Sequence, residues 1–228
     1  MTDKNNLNIG IIGNRDLTNK NIHTIKNTLK LLINKIISTT SAGENTCDNN
    51  SQKQSHPVCY TINMINSLAE GADQLAACVI SEINTPIKLI CPIPFKLSQY
   101  RSTLSTNVSK LTFDELLNTP KLSSKTIEMK LPFESDELKN KGYQQAAAKL
   151  LELSDFIIAL YDPSKTGHKG GTKETINYAM QNNIPVVHLN INNPSHIAIS
   201  SSYTKHKINY QNITTLKTSE LQSNIPCL

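Results

Sequence analysis

Two rhythms of apolar and polar positions alternate along the 228-residue chain. Short runs at residues 7–12, 58–65, 87–91, 155–160 and 185–189 are apolar or β-prone nearly throughout, the pattern of strands buried on both faces. Longer stretches between them carry helical spacing. Ile22, Ile25, Leu29, Leu32, Ile33 and Ile36 trace one apolar stripe, residues 71–83 form an Ala-rich helix, and residues 143–153 and 171–182 predict two more. Residues 97–118 are mixed and predict a helix or two, carrying Tyr100 and Arg101, and residues 126–131 predict a short strand.

Strands that are apolar throughout, each followed by a helix, predict a parallel sheet covered on both faces. The expected fold class is α/β, a Rossmann-like three-layer sandwich with a mostly parallel central sheet. Residues 1–190 are expected to form this domain, with polar insertions at about 38–57 and 119–137, and residues 191–228 to form a C-terminal extension with a strand or two near 207–216. A chain of this length buries one sizeable core, so a single decorated domain is the expectation.

Composition adds mostly exclusions. The net charge of +5 arises from 23 basic and 18 acidic residues, and the lysines are scattered. Scattered charge favours small anionic ligands mildly and disfavours duplex nucleic acid, which asks for a clustered basic face. Cys47, Cys59, Cys78, Cys91 and Cys227 form no CxxC pair, and three lie in or beside apolar runs, so buried reduced thiols are expected. The histidines show no metal-ligand spacing, and neither a metal nor a cofactor is called for. With no apolar segment of membrane-spanning length and no signal-like N-terminus, the expectation is a cytoplasmic protein with no membrane partner.

Candidate chemistry gathers in three turns that follow predicted strands, the end of a parallel sheet where ligands bind. In the first, Gly13-Asn14-Arg15-Asp16, glycine lets backbone amides approach an anion and Arg15 offers a two-pronged phosphate clamp; the same residues also describe a plain strand-to-helix turn. In the second, Glu70 precedes Gly71 and Asp73 falls in a helix's first turn, where the helix dipole accounts for Asp73 without a ligand; Glu70 is either a sugar-hydroxyl acceptor or a solvated loop residue. The third contains Gly170, Gly171, Thr172 and Glu174. Its amides and hydroxyl suit a phosphate and its carboxylate a sugar or base, while a capped helix with a first-turn glutamate explains the same residues. Tyr100 and Tyr143 are either base-stacking platforms or core aromatics.

Taken in order, several segments resemble the SLOG superfamily, Rossmann-like proteins related to the Lonely Guy phosphoribohydrolases and the DNA-processing protein A family. The matching pieces are IGIIGNRDL, SLAEGADQLAA, CPIPFKLSQYRSTL, YQQAAAKLLELSDFIIALYD, GHKGGTKETINYA and IPVVHLN, spanning about residues 7–190. The resemblance implies a nucleotide site in which Gly13, Asn14 and Arg15 form one loop and Glu70, Gly71 and Asp73 a second. Gly170, Gly171, Thr172 and Glu174 match the region that reads PGGxGTxxE in the Lonely Guy enzymes. Here that region is HKGGTKE, without the proline and with a different glutamate spacing. A changed spacing turns the carboxylate to another face of its helix, which touches catalysis more than binding.

The reading that follows is binding of a nucleotide or nucleotide-derived signalling molecule, with Arg15 and the turn amides on phosphate, Glu70 or Glu174 on the sugar and Tyr100 on the base. The resemblance extends this to sensing in bacterial signalling or phage defence, through an effector partner or homo-oligomer. The alternative is a nucleoside 5′-monophosphate phosphoribohydrolase with Glu174 as its catalytic carboxylate, and single-stranded DNA binding ranks third.

Overall fold

A computed structural model describes residues 6–17, 21–41, 61–164, 171–195 and 197–199. Among these, seven strands form one sheet: β1 (Asn6–Gly13), β2 (Thr61–Ile65), β3 (Ile87–Ile93), β4 (Lys125–Glu128), β5 (Phe156–Tyr161), β6 (Val186–Asn190) and β7 (Ile197–Ile199). Their spatial order is β4-β3-β2-β1-β5-β6-β7, parallel throughout except for β7, which runs antiparallel to β6. The fold is α/β and Rossmann-like, with β1 at the centre and the direction of winding reversing between β1 and β5.

The strand pattern explains the layering. In β5, Phe156, Ile158 and Leu160 point into one apolar cluster, and Ile157 and Ala159 into the other. Period-two alternation on a strand with no polar positions demands cover on both sides. One side is covered by α1 (Ile22–Ser41) and α2 (Ala72–Glu82), whose Ile25, Leu29, Leu32, Ile33 and Ile36 stripe is fully buried. The other is covered by α5 (Asp136–Leu153) and α6 (Thr172–Gln181), through Leu150, Leu151 and Ala179.

Two helices complete the connection from β3 to β4. They are α3 (Leu97–Ser102) and α4 (Asn107–Asn118), joined by the two-pronged Arg101–Asp114 ion pair at 2.6–2.8 Å. The α4 N-terminus carries a capping box, in which the Thr106 hydroxyl accepts from the Ser109 N–H at 3.0 Å.

Several expectations change in extent. The second polar stretch at 119–137 supplies a 3-10 turn (Pro120–Leu122), the edge strand β4 and the start of α5. That helix begins at Asp136, seven residues before the expected 143, because Ser135 caps it, its side chain accepting from the Leu138 N–H. The sheet runs past residue 190 into β7, while the strands sought at 207–216 and most of the 38–57 stretch lie outside the described residues. Cys78 and Cys91 are free thiols; burial pushes the Cys91 thiol up to about 12, so it is inert. Among the described residues, no helix is long and apolar enough to cross a membrane.

The central strand makes a sharp test of this packing. Ile158→Ala should lower the unfolding free energy by about 2–5 kcal/mol, read as a lower urea midpoint at unchanged slope, because the residue is fully buried between helices.

Candidate functional site

Winding reversal opens a crevice at the carboxyl ends of β1 and β5, and a cavity of about 510 Å³ lies there. Its floor and walls come from six places. The β1 turn gives Ile12, Gly13, Asn14, Arg15 and Asp16, and the approach to α2 gives Ser67, Ala69 and Asp73. Pro94 and Tyr100 follow β3, Tyr161 ends β5, and Gly171, Thr172, Lys173 and Thr175 open α6. One face of α5 supplies the apolar wall with Asn140, Tyr143, Ala146, Ala147 and Leu150 at helical spacing.

The first two turns hold each other. Asn14 donates its backbone N–H to the Leu160 carbonyl at 3.0 Å, and its side-chain oxygen accepts from the Asp162 N–H at 2.9 Å. Its own carbonyl accepts from the Ala72 N–H, also at 3.0 Å. Asn14 thereby ties β1, β5 and the start of α2 together, and its backbone amide is spent on structure. Gly71 closes the clasp with φ 84° and ψ −121°, a backbone conformation essentially reserved for glycine, and a Cβ there would collide with the Arg15 carbonyl. Gly13 is equally confined, since a Cβ would run into Ala72 and lie 2.5 Å from the Leu160 carbonyl.

The third turn remains open to the cavity. The Thr172 hydroxyl donates to the Gly13 carbonyl at 2.8 Å, pinning α6 against β1. Gly171 is the N-cap, with no side-chain cap bond, so the first N–H groups of α6 have no intrahelical acceptor where Thr172 and Lys173 border the cavity. Gly170 lies outside the described residues.

Arg15 leans over the ring of Tyr143, its guanidinium carbon 5.2 Å from the ring centroid. Desolvation works against its charge, but the hydrogen bond to the Tyr143 phenol together with the electrostatic pull of Tyr143, Tyr100 and Glu70 outweighs it, and the guanidinium stays a cation. Tyr143 is in turn wedged edge-on against Phe95, 5.4 Å between centroids. A cation at the cavity wall is thus held on a braced aromatic platform.

The two carboxylates offered for a sugar lie elsewhere. Glu70 does not border the cavity; its carboxylate accepts from the Ser105 N–H at 3.0 Å, the Ser105 hydroxyl at 2.6 Å and the Ser109 hydroxyl at 3.4 Å. Burial opposes its ionisation, but these donors, with Arg15, hold the carboxyl below its usual range. Glu70 therefore locks the α2 approach to the start of α4. Glu174 projects from α6 toward α5, into an adjoining pocket of about 280 Å³ with Gln144, Ala148 and Tyr178. Ala147 and Thr175 border both spaces, whereas Glu174 borders only this second one.

Asp73 and Tyr100 do reach the cavity. Asp73 is 7% exposed, and the Ala69 N–H reaches one of its oxygens at 3.4 Å. Burial raises its carboxyl to about 7. Tyr100 is 1% exposed, packed edge-on against Phe113 at 5.9 Å, and burial drives its phenol well above the usual range. Tyr143, offered by the sequence as a platform or a core aromatic, borders the cavity, and Asn140, Tyr161 and Lys173 are further lining residues that the sequence did not single out. Asn140 lies before the expected helix start at 143, and nothing in the chain says which face of that helix meets the crevice.

No protein-family profile matches the chain, and no curated protein matches it. Among solved structures, DNA processing protein A from Streptococcus pneumoniae is similar over 96% of this chain and 56% of its own, at 10% identity and a TM-score of 0.48. The chain thus spans little more than half of that protein. A structural-genomics target, TM1055, is 14% identical over 79% of this chain and 72% of its own, with a TM-score of 0.42. DNA processing protein A from Helicobacter pylori, described for its single-stranded DNA binding mode, is 15% identical over 81% and 65%, with a TM-score of 0.45. The class defined here is that of a Rossmann-like α/β protein with a cavity at the winding reversal, and it rests on the strand order and the lining residues above.

Two tests address this geometry. Gly71→Ala should destabilise the protein by more than about 2 kcal/mol in urea unfolding, from backbone strain plus the collision with Arg15. Asp73 is ionised above about pH 4 in the unfolded chain but keeps its proton up to about pH 7 when folded, so its stabilising contribution is complete below pH 4 and is lost as pH rises to 7. Asp73→Asn should therefore flatten the decline in stability between those limits, measured as urea midpoints against pH.

Proposed function

We propose that this chain binds an anionic, nucleotide-derived small molecule in the cavity between β1 and β5, as a sensor rather than an enzyme. The observation that carries this reading is the cavity itself. Its volume of about 510 Å³ suits a ligand of mononucleotide size, and cation and helix N-terminus meet at one end while apolar side chains line a wall. A phosphate at the start of α6 meets unpaired N–H groups and Lys173, with the Arg15 charge across the opening. The base then lies along Ala146, Ala147 and Leu150 of α5, beside the Tyr143 ring.

Phosphoribohydrolase activity ranks second on one specific ground. A carboxylate that stabilises a glycosidic transition state must touch the reacting centre, and Glu174 opens onto the other pocket. Single-stranded DNA binding ranks third, because a cavity of this size encloses one nucleotide rather than tracking a backbone. Signalling through an effector or through self-assembly follows from sensing without turnover.

Calorimetric titration with adenosine 5′-monophosphate, inorganic phosphate and a short oligonucleotide tests the order of these readings, with chromatography for released adenine. Saturable binding of the mononucleotide without release is expected, weakened at least tenfold in Arg15→Ala. The Arg15 carbonyl, not its side chain, supports Gly71, so this variant keeps the clasp. Adenine release that vanishes in Glu174→Ala would reverse the order in favour of the hydrolase, and steeply salt-dependent oligonucleotide binding in favour of DNA.

A further inference from the structure

The cavity lining includes polar groups that the protein leaves unsatisfied. Tyr100 is 1% exposed, yet its hydroxyl has no hydrogen-bond partner among the described residues. A buried phenol hydroxyl ordinarily finds one, and the rest of this ring is well packed. Asp73, 7% exposed, lines the same cavity and receives only the 3.4 Å hydrogen bond from Ala69 among the described residues. Two unfulfilled side chains from different elements, α2 and α3, converge on one space.

Their chemistry specifies what fills it. Lys173 and the start of α6 supply positive charge to the lining, so the anionic end of a ligand belongs there, away from the Asp73 carboxyl. A phenol and a carboxyl together supply both a donor and acceptors, matching neutral groups that themselves donate and accept. We propose that Asp73 and Tyr100 form a hydroxyl-recognising floor that holds the ribose 2′- and 3′-hydroxyls of a phosphorylated ligand. This rests on the anion-binding reading above and moves the sugar contact from Glu70 and Glu174 to residues inside the cavity.

Ribose 5-phosphate and 2-deoxyribose 5-phosphate isolate the sugar from any base. In calorimetric titrations of the full chain, ribose 5-phosphate should bind at least tenfold more tightly than the deoxy sugar. Tyr100→Phe and, separately, Asp73→Ala should reduce that ratio to within about twofold. Because the Tyr100 hydroxyl supports nothing in the protein, Tyr100→Phe should keep the wild-type urea midpoint or exceed it, which separates lost recognition from lost folding. A wild type that does not distinguish the two sugars, or variants that distinguish them as well as wild type, would overturn the floor while leaving the anion site standing. Failure of the wild type to bind inorganic phosphate or either sugar phosphate would overturn the anion site, and the floor with it.

Discussion

The contact on which the rest of the molecule depends is the clasp between the β1 turn and the start of α2. The Asn14 carbonyl accepts from the Ala72 N–H while Gly71, at positive φ, lies flat on the Arg15 carbonyl. A hydrogen bond of this kind contributes modestly on its own, but here it fixes three elements at once, since Asn14 also holds Leu160 and Asp162 of the β5 end. The same clasp directs Arg15 outward onto Tyr143 and seats Asp73 inward. The cavity wall and floor are therefore set by one backbone junction.

That junction changes the meaning of the glycine turns. Three similar-looking turns invite the idea of three equivalent anion cradles, yet the first two spend backbone groups on each other. The α6 N-terminus, held by the Thr172 hydroxyl on Gly13, has no side-chain cap where it borders the space. Division of labour follows from which polar groups are already paired: the paired ones build the site and the unpaired ones are available to a ligand.

Charge is divided in the same way. Glu70 carries its negative charge against Ser105, Ser109 and Arg15, and joins α4 to the α2 approach. Asp73, three residues on, meets almost no donors and is pushed toward neutrality by burial. Two acids in one short loop thus acquire opposite character, one an anchored carboxylate and the other a protonatable group at the cavity floor.

By itself the sequence determined the α/β class, the parallel strands and the turns where a ligand meets the sheet, because these rest on local periodicity and on the glycines that strand-to-helix turns require. It also placed Gly13, Asn14, Arg15, Gly71, Asp73, Tyr100, Gly171 and Thr172 in or beside those turns. Strand order, and with it the reversal between β1 and β5, came only from long-range pairing, in which Gly10 meets Ile157 across almost the whole domain. That Asp73 borders the cavity while Glu70 and Glu174 do not, and that the Asn140–Tyr143–Ala147 face of α5 forms a wall, was likewise a tertiary decision. A carboxylate's place in a motif leaves open which neighbours are close enough to occupy it, and that is settled only when helices from distant parts of the chain close around the same space.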